Sequence, residues 1–446
     1  MARRSARLPV AFLLGLVVAS LSAAAPALAA GWGRPFQFQQ AGTLDALAPQ
    51  LAFAPAGTSA AAFGTLQVDV PGSAQAEYAT RTSGGRVSSV RNVPGASQVL
   101  ALTYDDGSQL ELLAGTSGRG QDCCSAVQAI RVGPNGAPQR PRQLVGGLTG
   151  FTEGRLLSLA GGRMLAAVAT ERGVWVSQSG GSGQFGGQRR ISGNGQVPES
   201  MDAAWLGGAG SVVAWTAGSG NITGATAPRQ IFVADGSSAG APTSAHVAVT
   251  VPSGHRIDQL AVARRGSGAT LAWIESWYDA RGGYHSRVEV VDIGPNPPSH
   301  PSPRALSPDG RIASGLSLTA DPAGDQGIVW ESCTTAGSCT VQGAGRPAGG
   351  SFSQTKTLGA IDPTGQPSLA ISPSGQLIVG WAQGGHPVAS VGFGTPKVLS
   401  ATTYAYAVTV AYGPKRVALE AWDQGTLNPS LVAAAYAAGS VGSAAR

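Results

Sequence analysis

Ser368–Gln383 reads SLAISPSGQLIVGWAQ, and Ser317–Ser332 reads SLTADPAGDQGIVWES. Each is an apolar stretch, a Pro-x-Gly turn, a second apolar stretch, and a Trp eight residues after the proline. Proline presets φ at a turn and glycine takes the conformation that closes it, so each stretch predicts two short strands joined by a tight turn. Gln50–Gly64, QLAFAPAGTSAAAFG, keeps the frame with Phe63 in the Trp position. Related units end at Trp215, Trp273 and Trp422, and two weaker ones centre on Leu112 and Ala169. The eight anchors lie 41 to 58 residues apart.

That period is the length of a four-stranded antiparallel unit. A third strand is expected after each anchor, as in IFVADG at 231–236 and RVEVVDIG at 287–294. A shorter fourth follows, as in HVAVTV at 246–251 and KTLGA at 356–360. Repetition of such a unit predicts an all-β chain, a β-propeller of eight four-stranded blades, with seven as the alternative. A β-sandwich does not suit eight copies of one unit. The near-continuous Ala, Val, Leu and Ile of the strands fit sheets covered on both faces. The tryptophans are expected to fill the gaps between blades. Only one strand, Ser430–Ala437, follows Trp422, so the last blade lacks its fourth. FQFQQAGT at 36–43 is similar to FSQTKTLG at 352–359 and is expected to supply it, bringing the termini together.

The composition agrees. With 65 glycines and 29 prolines but only 12% charged residues and 3 methionines, the chain suits short strands and turns rather than long amphipathic helices. Residues 1–30 read as a signal peptide, with Arg3, Arg4 and Arg7 before an apolar run from Leu8 to Leu21. An A-x-A site at Ala27-Leu28-Ala29 follows, which predicts a mature chain beginning at Ala30 or Gly31 as one domain over 31–446. Arg3-Arg4 opens like a twin-arginine signal, but Ser5-Ala6-Arg7 does not continue it, so general secretion fits better. No later stretch is long and apolar enough to span a bilayer. Removal of the leader leaves 27 basic against 24 acidic side chains, with no Lys/Arg run of the kind that binds nucleic acid. The Arg-rich, Lys-poor, Ala/Gly-rich usage suggests a bacterial source of high GC content.

The Pro-x-Gly turns of ISPSGQLIV and LSPDGRIAS resemble the Ser-Pro-Asp-Gly turn of TolB-type repeats. The whole of 31–446 resembles secreted bacterial propellers of the TolB-type, sialidase-like and WD-repeat superfamilies, and the resemblance implies the propeller fold and no specific family. The WD dipeptide does not repeat. The sialidase Asp box, S-x-D-x-G-x-T-W, occurs nowhere.

In an exported chain four cysteines predict disulfides. Cys333 and Cys339 flank a turn between adjacent strands and are expected to bridge. Cys123 and Cys124 occupy the equivalent loop of a distant blade, where a vicinal bridge, free thiols and intermolecular pairing all stand open. No His lies at ligand spacing from them, so no metal site is expected. The candidate ligand-binding residues lie in ESWYDARGGYHS, 275–286: Glu275, Trp277, Tyr278, Asp279, Tyr284 and His285. Rings suit the apolar faces of a sugar or peptide, and carboxylates suit its hydroxyl or amine donors. The same residues also read as a long hairpin whose aromatics cover a blade edge. Glu199, Asp202, His255, Arg256, Asp258, Asp309 and Arg311 are expected in connections between blades. A carboxylate pair there could serve a glycosidase, or bond to neighbouring blades.

Two functions follow as expectations. One is a secreted or envelope-associated, non-enzymatic binding or scaffold module for a protein or glycan partner. The other is a secreted glycan-active hydrolase or lyase of sialidase-like type. Neither calls for a cofactor, and the expected state is a monomer.

Overall fold

The computed structural model describes residues 31–38, 45–66, 74–117, 124–150, 152–219, 228–237, 240–294, 302–308, 310–363, 365–401, 404–414, 417–424 and 430–437. The signal peptide expected at 1–30, Cys123 and Asp309 lie outside these residues. The chain forms eight antiparallel sheets in a ring, in which strands consecutive in sequence are neighbours except where the N-terminal segment joins the last sheet. It is an eight-bladed propeller, and its one described helical element is a single 3-10 turn, Gly207–Ala209. No described helix is long and apolar enough to cross a membrane.

Each anchor lies on the second strand of its blade: Phe63 on Ser59–Leu66, Trp273 on Gly268–Tyr278, Trp422 on Val417–Gln424. Side chains alternate across a strand, so every second residue meets the preceding blade and the others meet the following one. Trp273 packs on Val212 and Ala214 of blade 4, while Ala272 and Ile274 pack on Ile328 and Trp330 of blade 6. Trp215, Trp273, Trp330, Trp381 and Trp422 are fully buried in these gaps. In blade 3 the expected frame is one residue out. Met164, Ala166 and Val168 face blade 2, whereas Ala169 faces blade 4 with Trp215. With no large ring to mark the register, a shift of one residue flips the assignment of faces.

Ring closure uses the N-terminus, as expected, and the pairing starts upstream of Phe36. Gly31–Trp32 and Phe36–Gln37 both pair antiparallel with Ser430–Ala437. The closing segment therefore begins at residue 31, and residues 39–43 of the expected strand lie outside the described part. Trp32 packs at 5.3 Å from Tyr436, and Phe38 is buried with Phe63 of blade 1 and Leu419 and Leu431 of blade 8.

Two repeated polar devices join the blades. Near the axis, a first-strand side chain accepts a backbone N–H from the next first strand: Glu153 from Met201 at 2.7 Å, Asp202 from Val262 at 2.7 Å, Gln259 from Leu316 at 2.9 Å and Ser368 from Val410 at 3.1 Å. At the rim, arginines donate to carbonyls of the following blade: Arg91 to Asn135 at 3.2 Å, Arg131 to Ser182 at 2.7 Å and Arg189 to Ala241 at 2.8 Å. A basic residue sits on every outermost strand or closing segment, namely Arg34, Arg91, Arg142, Arg189, His246, Arg304, Lys356 and Lys397. Charge there protects the open edges from pairing with other chains.

First strands also carry bulges. The pairing shifts across Leu47/Gln50, Val99/Ala101, Pro198/Ser200, Ile257/Gln259, Ser314/Ser317 and Ala405/Val408. An extra residue unpaired on one strand re-aims its side chain, here around the axis. In blade 6 the bulge holds Gly315 at φ +60°, where a Cβ would stand 2.9 Å from Pro367 Cδ of blade 7. Both the backbone angle and the close approach require glycine.

Candidate functional site

In an up-and-down meander, the turn between second and third strands lies at the same end of the ring as the connections between blades. We call this the upper face. The 275–286 segment is there, but it is mostly strand. The second strand runs to Tyr278, the third begins at Tyr284, and only 279–283 turns. Asp279 builds that turn. Its Oδ1 accepts the N–H groups of Arg281 and Gly283, each at 2.8 Å, and its Oδ2 meets His285 Nε2 at 3.0 Å. The bond from His285, then those from the backbone, hold the Asp279 carboxyl below its ordinary range.

Cross-strand register explains the next four residues. Trp277 stands opposite His255 on one side and His285 on the other. The three rings stack, with centroids 4.8 and 5.5 Å apart and planes within 8° and 12°. Arg287 lies against the same Trp, its Cζ 5.2 Å from the ring centre. Beneath the stack, Glu275 is buried, with Oε1 at 2.5 Å from His255 Nδ1 and Oε2 at 3.6 Å from Arg287. Glu275, Trp277, Asp279 and His285 thus hold one another. Of the candidate acids and bases, each is already paired inside the blade.

Tyr278 and Tyr284 point to the opposite side. Tyr278 is 70% exposed, Tyr284 is 37% exposed, and their rings meet edge to face at 5.4 Å. With Arg229, Gly254, Arg256, Asp258 and Ser276 they border a cleft of about 350 Å³, which His255 and Trp277 also reach. The Tyr284 hydroxyl donates to Asp258 Oδ2 at 3.4 Å, and burial raises its pKa above the ordinary phenol value. Asp258 Oδ1 is 2.5 Å from Arg256 Nε, and Arg256 reaches Glu199 at 3.6 Å. The cleft is an aromatic wall beside a neutralised ion pair. It can offer ring faces, hydroxyls and the rest of a guanidinium's donors.

The carboxylates expected in connections between blades sit elsewhere. Glu199 and Asp202 lie on the first strand of blade 4, Gln196–Trp205, and Asp258 on that of blade 5, His255–Arg265. Asp202 bonds Arg155 at 2.7 Å besides its latch to Val262, the neighbour-binding role. A second cleft, about 560 Å³ at the lower rim between blades 2 and 3, was not legible in the sequence. It contains Glu111, whose carboxyl burial pushes up to about 7. Each nitrogen of its partner Arg131 is engaged, bonding Glu111 at 2.7 Å, Asp105 at 2.9 Å and the Ser182 carbonyl. That arrangement clasps blades together.

Cys333 and Cys339 face each other across paired strands and form a disulfide, with Cα atoms 4.0 Å apart. Glu331 lies beside them, but both sulfurs of this acid–thiol cluster are in the bridge and cannot ligate a metal. Cys124 is buried, and the Cys123–Cys124 question lies outside the described residues.

No family model matches the chain, and no curated protein matches it. Solved structures do. A protein of unknown function from Dyadobacter fermentans is 10% identical, with 92% of this chain and 99% of that one covered and a TM-score of 0.46. An ulvan lyase, a polysaccharide lyase, is 10% identical over 90% and 95%, with a TM-score of 0.46. YCF48 bound to D1 peptide is 10% identical over 92% and 97%, with a TM-score of 0.43. At such distances the likeness carries no argument about activity.

Proposed function

We propose that the chain is an exported, non-enzymatic propeller that binds a protein or glycan partner on its upper face, at the cleft of blade 5. One observation carries the reading: the titratable candidates are tied to one another, while Tyr278 and Tyr284 are left exposed at a cleft. General acid–base catalysis needs a group within reach of substrate and free to exchange a proton. Glu275 is buried under Trp277, and Asp279 is consumed by its own turn and by His285. Aromatic rings with polar tips, by contrast, supply contact area at low entropic cost and are common anchors of recognition. The Cys333–Cys339 bridge is in keeping with an oxidising compartment.

The test is an array of glycans and peptides probed with the chain beginning at residue 31, with hydrolysis and elimination assayed on every ligand that binds. Binding without product that Tyr278→Ala with Tyr284→Ala abolishes supports the reading. Turnover of a bound glycan replaces it with the hydrolase or lyase alternative.

A further inference from the structure

The ring holds a further cavity, which the cleft of blade 5 does not touch. It lies on the axis, has a volume of about 670 Å³ and is walled by first strands of five blades. That volume falls within the range of roughly 300–1,000 Å³ typical of small-molecule sites. Pro49, Leu316, Tyr406 and Ala407 reach it from the bulges of blades 1, 6 and 8. The bulges thus do here what bulges do at binding sites: they turn side chains that a regular ladder would place between blades.

The chemistry of the wall is specific. Gln50, Ser317, Gln366, Ser368 and Thr409 are polar and uncharged, and Pro49, Leu316, Pro367 and Val408 are apolar. Among the described residues Arg155 is its one charged residue. The guanidinium is neutralised by Asp202 at 2.7 Å and Glu153 at 3.3 Å, and also donates to the Gly154 carbonyl at 3.0 Å. An anionic ligand finds no unpaired cation in this wall, and a cationic ligand finds no acid. A wholly apolar ligand would strip water from five polar side chains without replacing it.

Beside Tyr406 of the wall stands a second ring, Tyr404. Tyr406 is 46% exposed and Tyr404 is 51% exposed, with centroids 6.5 Å apart and planes within 22°. Tyr404 holds this place from φ +74°, a left-handed conformation that side chains of its bulk seldom adopt. The near-parallel pair contrasts with the edge-to-face Tyr278 and Tyr284. Flat rings beside amides and hydroxyls match a pyranose, whose C–H face stacks and whose rim donates and accepts.

We infer that the axial cavity binds a short, neutral oligosaccharide, with a sugar ring on Tyr406 and hydroxyls on Gln50, Gln366 and Ser317. This does not rest on the cleft of blade 5. Calorimetry tests it with maltotriose, cellotriose, laminaritriose and N-acetylchitotriose, with trigalacturonate as the charged counterpart. At least one neutral trisaccharide should bind more tightly than trigalacturonate. Its affinity should fall at least tenfold in Tyr406→Ala, be retained in Tyr406→Phe, and stay unchanged in Tyr284→Ala. Melting temperature checks that each variant is folded. Absence of binding by all four at millimolar concentration, tighter binding of trigalacturonate, or an unchanged affinity in folded Tyr406→Ala would overturn the inference. Should Tyr406→Ala not fold, Gln366→Ala, at an exposed position, takes its place, with a loss of affinity expected and no change contradicting.

Discussion

The ring of His255 lies parallel to that of Trp277, 4.8 Å away, while its Nδ1 reaches around to Glu275 at 2.5 Å. The imidazole therefore fixes both a ring and a carboxylate, and Trp277 becomes part of the blade rather than a free platform. Truncating Trp277 removes two ring contacts and the seat of Arg287. Trp277→Ala should destabilise the protein by about 2 kcal/mol, below the cost at a fully buried ring because Trp277 is only partly buried. Denaturant unfolding measures it. An unchanged midpoint would return Trp277 to the list of ligand anchors.

Glu420 gives a pH dependence. It is fully buried between blades 7 and 8, on the face of its strand shared with Trp422, and neither carboxylate oxygen has a hydrogen-bond partner among the described residues. Room for it comes from Gly380, where a Cβ would lie 2.9 Å from Oε2. Burial raises its pKa well above the ordinary 4.5. A raised pKa in the folded state means that folding favours the protonated acid, so its contribution is intact below about 4.5 and is lost as pH rises through the folded-state value. Glu420→Leu should melt higher than wild type at pH 8, with the gap narrowing towards pH 4. Melting curves across that range check it, and a gap independent of pH would contradict the burial argument.

The closing segment should be indispensable despite being a terminus. Phe36 and Phe38 pack into the seam between blades 8 and 1, Trp32 packs into that between blades 7 and 8, and their backbones pair with Ser430–Ala437. At about 1.5–3 kcal/mol per buried apolar side chain, a chain beginning at residue 39 should lose on the order of 5 kcal/mol and expose a new sheet edge. Equal melting temperatures for chains beginning at 31 and 39 would refute closure.

The disulfide closes a short loop, so its contribution is modest. The chain-entropy model gives about 2 kcal/mol for so small a ring. Cys333→Ser with Cys339→Ser should lower the melting temperature to the value of the reduced wild type. Non-reducing peptide mapping of secreted material should recover both cysteines in one bridged species.

The fold was largely legible because five tryptophans mark the same strand position, and a large ring at a fixed place between blades leaves little choice of register. Where the anchor is small, legibility fails: Ala169 and Val168 are both apolar, and only packing tells which meets blade 2. Site reading failed for a related reason. Aromatics, acids and His together look like a binding loop, yet strand pairing carries on to Tyr278 and turns half of them inward. Alternation from Trp273 was the available signal, since Glu275 and Trp277 follow it on the same face while Tyr278 does not. Bulges have no such signature in a single sequence, so the axial placement of Tyr406, Leu316 and Pro49 was not legible.

The most direct test of the binding account is a side-by-side array measurement of wild type and a Tyr278→Ala, Tyr284→Ala double variant, on the same glycans and peptides. The rings are exposed, so the variant should keep the wild-type melting temperature. The account predicts at least one ligand bound by wild type, released unmodified, and lost by tenfold or more in the variant. Equal binding of every ligand by both proteins, no ligand for wild type, or cleavage of the ligand lost in the variant would contradict it.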